Sequence, residues 1–335
     1  MKEFDIGKND AGQRLDRYLA KAVPLLPAQL AQKYIRIKRV KRNGRGARRD
    51  DRLCVGDTLQ LYINDEFFET PSRENAFLSV FKPQLDIVYE DENLLLVNKR
   101  PGMVVHPDDR ERVNTLVTHI QAYLYQKKEW SPYWEHSFAP ALCNRIDRNT
   151  GGIVIAAKNA ETLRVMNQKV RDREVRKLYL CAIHGRMEPP AGQLRGFIFK
   201  DEARAQVKVF DHPVPGGRTA ITDYRTLTRR EGLSLMECDL ITGRTHQIRA
   251  QFAAAGHPLL GDGKYGRERD NKAYGRSYQA LYSYKLQFRF TTPAGPLEAL
   301  NGREWSVGGI DFLETYFPGF SLEPGAEGPH EEGRQ

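Results

Sequence analysis

The sequence predicts an α+β protein, in which a small α/β module precedes a larger domain built on a mostly antiparallel, mixed sheet with flanking helices. Two patterns support this fold class. Residues 12–63 show two helical patterns, a turn and a strand, whereas from residue 85 many short strands alternate with a few helices. A polar stretch, residues 64–76, separates the two. We therefore expect the module over residues 1–75, the main domain over 76–317 and a disordered, Gly-, Pro- and Glu-rich tail over 318–335.

The module begins with two predicted helices within residues 12–36. Apolar residues recur at helical spacing in both, namely Leu15, Tyr18, Leu19 and Ala22 in the first and Leu30, Tyr34 and Ile37 in the second. Asn43-Gly44 is a strong signal for a tight turn, and the alternation over residues 58–63 predicts a strand. These elements together are enough for a small self-contained unit.

The main domain is predicted to be richer in strands than in helices. The strand patterns cover residues 94–99, 152–158, 175–184, 206–210, 219–227, 233–240 and 280–290. Helices are expected over residues 114–126, over 159–173 with Asn159 as the N-cap, and over 245–255, ended by Gly256. Interleaved hairpins of this kind favour mostly antiparallel pairing.

Charge is concentrated in the module. The chain carries 52 Lys and Arg against 43 Asp and Glu, a net charge of +9, and residues 33–52 alone hold ten basic and two acidic residues. A focused positive patch predicts a polyanionic partner, nucleic acid before membrane, although a solvated surface is the simpler alternative. The residues we expect to bind nucleic-acid phosphates are Lys38, Arg39, Lys41, Arg42, Arg45, Arg48 and Arg49.

Several classes of protein are not supported by the composition. No apolar run approaches the roughly 18 residues that a membrane helix needs, and the polar N-terminus does not resemble a signal peptide. The four cysteines (Cys54, Cys143, Cys181 and Cys238) form no close pair in sequence, so we expect neither disulfides nor a zinc ribbon, and a cytoplasmic location. His106, His246 and His257 lack metal-ligand spacing, and no metal site is expected.

Residues 261–266 match the Gly-x-Gly-x-x-Gly pattern of dinucleotide-binding loops. Such a loop should follow a strand and open a helix, but here Pro258 lies just upstream and a highly charged segment follows. The context therefore argues against a nucleotide cofactor.

The most informative segment for chemistry is residues 144–158. Asp147 lies between Arg145 and Arg148, just before a glycine-containing turn and an apolar strand. Two neighbouring cations favour an ionised carboxylate, which can act as a nucleophile or charged partner rather than as a general acid. A turn with an ordinary surface ion pair remains an equal alternative at this stage.

Four stretches resemble, in order, the motifs of the RluA family of RNA pseudouridine synthases, which isomerise uridine. "NRIDRNTGG" (residues 144–152) resembles the catalytic Arg-Leu-Asp motif, and "NKRPGMVVHP" (98–107) resembles the Lys-Pro-x-Gly motif. "RKLYLCAIHG" (176–185) resembles the motif of the active-site tyrosine, and "LITGRTHQIRAQFAAAGHPLLGD" (240–262) resembles the C-terminal helix motif. The similarity spans about residues 86–290, and the module separately resembles the small RNA-binding fold named after ribosomal protein S-four.

The resemblance implies three catalytic residues and no external cofactor. Asp147 would act near the anomeric carbon, Tyr179 would lie against the uracil as the base for the ring-carbon proton, and Arg249 would pair with Asp147 through a bidentate guanidinium. Attack on the sugar, attack on the base and a glycal route all remain open. Arg145 would fill the space of the extracted base or serve as a structural ion pair, and Arg244 and His246 would contact RNA phosphate or cap the helix.

The sequence departs from the usual family pattern at three places. Asn144 and Gly151 stand where a histidine and a serine are usual, and "LYSYKL" (residues 281–286) replaces Leu-His-Ala. No proposed reacting group is lost, so the reaction class is unaffected, but the target uridine cannot be transferred from other members.

We therefore expect a monomeric RNA pseudouridine synthase that acts on ribosomal RNA, with transfer RNA as the alternative substrate. A non-catalytic RNA-binding factor in ribosome assembly is the rival from another class, and the presence of Asp147, Tyr179 and Arg249 argues against it. A glycoside hydrolase would need a second catalytic carboxylate, which no motif nominates.

Overall fold

The computed structural model describes residues 1–68, 72–201 and 206–322, which form two separate sheets. The first belongs to residues 1–63. Its elements are β1 (Lys2–Asp5), α1 (Leu15–Ala22), α2 (Ala28–Arg36), β2 (Val40–Arg42), β3 (Arg45–Gly46) and β4 (Thr58–Leu61). The strands pair antiparallel in the order β1-β4-β2-β3, and the two helices share with them a core that includes Leu15, Tyr18, Leu19 and Leu59.

The tight turn that Asn43-Gly44 predicted is confirmed, and it joins β2 to β3. Both residues have positive φ, 50° and 78°, as a two-residue hairpin turn requires. The Asn43 side chain also accepts from the Thr58 backbone N–H and donates to Asp57, which ties the hairpin tip to β4. The predicted helices are confirmed, but Ile37 does not belong to the buried stripe. Helix α2 ends at Arg36, and Ile37 is 48% exposed.

The second sheet contains eleven strands. Nine follow the order β11-β10-β12-β13-β9-β14-β8-β6-β5, and β7 and β15 pair with β8 and β14. The strands are β5 (Ile87–Glu90), β6 (Leu94–Lys99), β7 (Ala141–Leu142), β8 (Gly151–Ala157), β9 (Val175–His184), β10 (Ala191–Asp201), β11 (Gln206–Phe210), β12 (Arg218–Arg230), β13 (Leu233–Leu240), β14 (Leu281–Phe288) and β15 (Glu304–Ser306). Among the described strands only β8 and β14 pair in parallel, so the α+β, mostly antiparallel class is confirmed.

Within the described residues, five helices flank this sheet. They are α3 (Leu116–Gln126), α4 (Ala160–Arg171), α5 (Gln247–Ala254), α6 (Glu268–Lys272) and α7 (Asp311–Tyr316), with short 3-10 helices at Asp65–Phe68, Ser72–Ser79 and Gly295–Leu300. Asn159 caps α4 as expected, because its side-chain oxygen accepts from the Thr162 N–H. Strand β10 was not predicted. More than half of its residues are exposed, and it contains Gly192 and Gly196, so it carries little apolar alternation.

The two sheets are joined by direct contacts between their domains. Asn9 donates to Glu135 at 2.7 Å and accepts from the first N–H of α4, that of Ala160, at 2.9 Å. Asp10 is fully buried and accepts from the backbone N–H and the hydroxyl of Ser137. The module is therefore anchored against the start of α4 and the loop before β7.

The expectation of a disordered tail is wrong for its first five residues. Residues 318–322, which were expected to be disordered, continue from α7, and Phe320 and Leu322 pack against a core that contains Phe312 and Phe317. The rest of the predicted tail, residues 323–335, lies outside the described residues.

Cys181 and Cys238 form a close pair in space although not in sequence. They are buried free thiols on the neighbouring strands β9 and β13, with their sulfurs 3.8 Å apart. In the described part of the chain, no helix is both long and apolar enough to span a membrane.

Candidate active site

A cavity of about 850 Å³ opens beside the centre of the large sheet. Its walls come from the loop before β8, from β9 and from the segment that joins β13 to α5. Asp147, Tyr179 and Arg249 all line it, although they are far apart in sequence. The sheet therefore gathers the three predicted catalytic residues in one place.

Arg249 joins two carboxylates at the base of this cavity. Its Nη1 donates to Asp147 Oδ2 at 2.7 Å, while its Nε and Nη2 donate to the two oxygens of Asp262 at 2.7 and 2.9 Å. The expected bidentate pairing of Arg249 with Asp147 is therefore wrong. The bidentate partner of Arg249 is Asp262, which binds Nε and Nη2. Asp147 accepts a single hydrogen bond, from the remaining nitrogen Nη1.

Asp262 is the residue of this site that sequence reasoning missed. It is fully buried and also accepts from the backbone N–H groups of Lys264 and Tyr265. Burial opposes its charge, but Arg249 and these N–H donors hold the pKa of Asp262 below its usual value. In turn, although burial opposes the charge of Arg249, Asp262 and Asp147 raise the pKa of the guanidinium. A buried cation fixed in this way presents one N–H in a set direction to Asp147.

The glycine pattern at residues 261–266 serves this arrangement. Gly261 has φ of 78°, and a Cβ there would lie 2.1 Å from the Tyr278 carbonyl oxygen. Only glycine allows the chain to turn so tightly that Asp262 can meet Arg249.

The neighbouring arginines do not pair with Asp147 as the sequence suggested. Arg148 points to the exposed Asp108, with 2.9 Å between its Nη2 and the carboxylate. Arg145 is exposed and lines the cavity. The cation that partners Asp147 comes instead from α5, because residues adjacent in a turn point to different sides.

Tyr179 lies on β9 with its ring buried, 5% exposed, in the wall of the cavity. The net pKa of Tyr179 is raised to about 12, chiefly because the ring is buried; a side-chain hydrogen bond with Ser283 opposes the rise, and the nearby charge of Asp147 contributes to it. Ser283 is the residue of β14 directly paired with Tyr179. The phenol is consequently neutral at pH 7.

His246 extends the network around Asp147. Its Nε2 lies 3.8 Å from Asp147 Oδ2, and its Nδ1 lies 2.8 Å from the hydroxyl of Tyr265. Burial lowers the pKa of His246, opposed by Asp147 and reinforced by Arg249. Its side chain makes no capping hydrogen bond, although it precedes α5 at φ of 53°, so the capping alternative is wrong for this residue.

Arg244 also lines the cavity without capping α5. Its Nε donates to the Thr219 carbonyl at 3.0 Å, and Gln247 accepts from its backbone N–H. Burial lowers the pKa of Arg244, and the charges of Arg218 and Arg173 lower it further. Several cations therefore converge on this side of the cavity.

Lys99 supports the loop that carries Asp147. Its ammonium is buried and donates to the carbonyls of Arg100, Met103 and Arg148 at 2.8–3.0 Å. Burial lowers the pKa of Lys99 to about 7, partly offset by Asp147. The Lys-Arg-Pro-Gly stretch thus fastens its own turn to the residue that follows Asp147.

Two departures from the usual family pattern are coupled. A Cβ on Gly151 would lie 2.2 Å from the ring of Tyr282, so glycine at 151 accompanies the large ring at 282. The Tyr282 hydroxyl donates to Asn98 at 2.8 Å. Asn144 accepts from the Ile155 N–H and has a structural contact of its own.

The basic residues of the module differ in their exposure to solvent and in whether they contact an acidic or aromatic side chain. Lys38, Arg39, Arg45 and Arg48 are exposed, and Arg39 stacks over the Tyr34 ring. Lys41 is half-buried over Tyr62. Arg42 is engaged with Asp57 at 2.6 Å, and Arg49 lies 3.5 Å from Asp16.

No group of three metal-ligating side chains occurs in the part of the chain that the structure describes. His257, one of the three histidines considered from sequence, has its Nδ1 3.0 Å from the His184 carbonyl oxygen.

Comparison with solved structures places the fold. The chain superposes on human RNA Pseudouridylate Synthase Domain Containing 4 with a TM-score of 0.54 at 19% identity, over 72% of this chain and 94% of that one. Human RNA Pseudouridylate Synthase Domain Containing 1 superposes with a TM-score of 0.50 at 20% identity, over 69% and 93%. At these identities the likeness concerns the fold alone.

Sequence comparison identifies the family. A family model described as RNA pseudouridylate synthase matches residues 93–254. Ribosomal large subunit pseudouridine synthase D of Neisseria meningitidis serogroup A is 31% identical over 83% of this chain and 72% of its own length. The chain thus combines the ordered motifs, the pseudouridine synthase fold and substantial identity over most of its length, and it belongs to the RluA family of RNA pseudouridine synthases, enzymes that isomerise uridine in RNA.

Proposed function

We propose that this enzyme modifies uridines of ribosomal RNA, and that Asp147 is the reacting carboxylate, with Arg249 and Tyr179 as its partners. The observation that carries the assignment of residues is the hydrogen bond from the buried Arg249 to Asp147 at the base of a cavity. A carboxylate that is accessible from the cavity but fixed on one side can present its other oxygen to a bound nucleoside.

Isomerisation breaks the bond between the anomeric carbon and the ring nitrogen, turns the uracil and forms a new bond to the ring carbon. The proton on that ring carbon then leaves, and the ring nitrogen gains one, so atoms balance without a cofactor. Asp147 assists the first cleavage, by attack on the sugar, by attack on the base, or by removing a sugar proton to give a glycal. In each case Arg249 maintains its orientation and Asp262 maintains that of Arg249.

Tyr179 lies against the uracil and accepts the proton of the ring carbon. Its pKa of about 12 makes the phenolate a strong base but a rare one, with roughly one molecule in 10⁵ ionised at pH 7. Proton transfer through Tyr179 should therefore become faster as the pH rises.

Arg145 is the group proposed to occupy the space that the extracted uridine leaves. It is exposed at the rim of the cavity two residues from Asp147, and its planar guanidinium can stack on bases or bind phosphate. Arg244 and His246, which also line the cavity, are proposed to contact the backbone of the same strand.

The module is proposed to be an RNA-binding domain of the type named after ribosomal protein S-four. Two helices on a small sheet that presents Lys38, Arg39, Arg45 and Arg48 to solvent support this proposal. Ribosomal RNA is the preferred substrate because a separate binding module suits a large structured RNA, and because a relative is named for the large ribosomal subunit.

Mapping pseudouridines across total RNA, with and without the gene, tests the substrate. Loss of one or more sites in ribosomal RNA is expected, restored by the wild-type gene but not by one that encodes Asp147→Asn. Sites lost only from transfer RNA would assign the alternative substrate.

A further inference from the structure

We propose that Arg173 and Arg289, together with Arg244, form a phosphate-binding site in the catalytic domain for the RNA strand next to the target uridine. The inference rests on the proposed function and adds a second RNA contact, separate from the module. All three side chains line the cavity that contains Asp147.

Arg173 and Arg289 lie side by side at one end of the large sheet. Arg173 is in the turn between α4 and β9, and Arg289 directly follows β14. The Arg289 N–H donates to the carbonyl of Glu174, the residue after Arg173, at 2.8 Å, so Arg289 and Glu174 continue the β9–β14 pairing and bring the backbone of Arg289 close to that of Arg173. Both are exposed, and Arg244 faces them from the segment after β13.

No carboxylate forms an ion pair with Arg173, Arg289 or Arg244 within residues 1–68, 72–201 and 206–322. Three acids near this side of the cavity have other partners, and one of them, Asp172, accepts from Gln168 Nε2. Glu174 is buried with Lys169, and Asp239 binds Arg176. Arginine stays protonated at physiological pH, so this side of the cavity holds several unneutralised positive charges.

Arg244 shows that these charges are close enough to repel one another. Burial lowers the pKa of its guanidinium, and Arg218 and Arg173 are the next causes. A bound anion would relieve this repulsion. A guanidinium offers paired N–H donors that match the oxygens of a phosphodiester, and the cavity exceeds what one base would fill, so it has room for the adjoining backbone.

The backbone of Arg173 adds an independent observation. Its φ is 64°, in the left-handed region at the end of α4, where glycine is the favoured residue. Arginine at this position is less favourable than glycine because its Cβ crowds the backbone. An unpaired arginine in such a conformation is expected where the side chain has a use other than stability.

The first test measures the salt dependence of RNA binding. The full-length double variant Arg173→Gln/Arg289→Gln is compared with wild type on a single-stranded RNA of twelve nucleotides. The matched control is Arg186→Gln/Arg269→Gln, which removes two exposed charges outside the cavity. Losing two phosphate contacts should reduce the slope of log affinity against log salt by about 1.4, since each contributes about 0.7 for single strands. A slope equal to that of the control would overturn the proposal.

The second test separates binding from chemistry. Pseudouridine formation is followed on total RNA purified from cells that lack the gene. The double variant should raise KM roughly tenfold or more and leave kcat within about twofold, since each charge-assisted contact that is lost weakens binding. A lower kcat with unchanged KM would contradict the proposal. If the wild-type enzyme modifies no ribosomal RNA, the substrate assignment fails, while the salt slope still decides the arginine site.

Arg173→Gly provides a readout that a merely structural arginine would not give. Glycine relieves the left-handed backbone, so the melting temperature should stay equal or rise while RNA affinity falls. A fall in melting temperature with unchanged affinity would assign Arg173 to the fold alone.

Discussion

The exposed basic residues of the module and the buried Arg249 of the cavity carry the same charge, but their surroundings are opposite. In the module, Lys38, Arg39, Arg45 and Arg48 are exposed around a hairpin and turn. In the cavity, Arg249 is 7% exposed and gives three hydrogen bonds to two carboxylates. Exposed cations can adapt to many phosphate positions, whereas a buried and fully paired cation fixes the position of one carboxylate.

This difference separates affinity from chemistry. Exposed charges contribute through released counterions, so their effect depends on salt and not on exact placement. The Arg249 network contributes by orienting the reacting carboxylate, and small displacements of that group are costly for the rate. Each region can therefore be changed with a different expected consequence.

Asp147→Asn should have the largest effect and tests the cavity side of the comparison. The amide keeps the shape of the side chain but removes the reacting carboxylate, so isomerisation should fall by about 10⁴-fold or more. RNA affinity should change little, because it comes mainly from phosphate contacts. Tritium release from labelled uridine and a binding titration measure the two quantities, and near-wild-type turnover would refute the role of Asp147.

Arg249→Lys tests whether orientation, rather than charge, is what the buried arginine provides. A lysine keeps the charge but cannot serve Asp147 and both oxygens of Asp262, so kcat should fall about 10²-fold. Asp262→Asn, which breaks the buried pair from the other side, should lower the free energy of unfolding by about 3–5 kcal/mol. Kinetics at saturating RNA measure the loss of kcat in Arg249→Lys, and chemical denaturation measures the loss of stability in Asp262→Asn. Full activity in Arg249→Lys would mean that charge alone is sufficient.

Tyr179→Phe sharpens the description of the chemistry. The ring remains as a surface for uracil, but the hydroxyl is lost, and a general base typically contributes about 10²–10⁴-fold. Because the pKa of Tyr179 is about 12, the phenolate fraction rises about tenfold per pH unit below that value. Where proton removal limits the rate, kcat of the wild type should rise with pH between 7 and 9 and that of the variant should not. Equal kcat in the two enzymes would remove the base role from Tyr179.

Local patterns in the sequence predicted most of the fold. Buried strands such as β6 and β8 are recognisable because they contain uninterrupted runs of apolar residues. The start of α4 is recognisable because Asn159 is a favoured N-cap residue, and its side chain caps the helix in the structure. Strand β10 was not predicted, because its exposed polar residues and two glycines do not produce the alternation of apolar and polar residues that is typical of a strand. The contact between Cys181 and Cys238 could not be predicted from local sequence, because the pairing of β9 with β13 brings together residues that are 57 positions apart.

The sequence predicted which residues belong to the candidate site but not which of them form hydrogen bonds with one another. Family motifs nominated Asp147, Tyr179 and Arg249, and the cavity contains all three. Sequence spacing carries no information on side-chain direction, so it suggested Arg145 and Arg148 as the cations beside Asp147. The family resemblance pointed instead to Arg249, and the structure shows Arg249 as the partner. Asp262 was missed for the same reason. A glycine-flanked acid at the end of the fourth motif was the available signal, and only the fold shows that it receives the fork of Arg249.

The separation of affinity from chemistry is tested most directly by neutralising the module in the full-length chain. The variant Lys38→Gln/Arg39→Gln/Arg45→Gln/Arg48→Gln removes four exposed charges and spares Arg42, which is bound to Asp57. Its salt slope and its kcat at saturating RNA are measured beside those of Asp147→Asn. The slope of the quadruple variant should fall by about 3, since each contact contributes about 0.7–0.9, and its kcat should equal that of wild type. An unchanged slope, or a kcat that falls as it does in Asp147→Asn, would contradict the account.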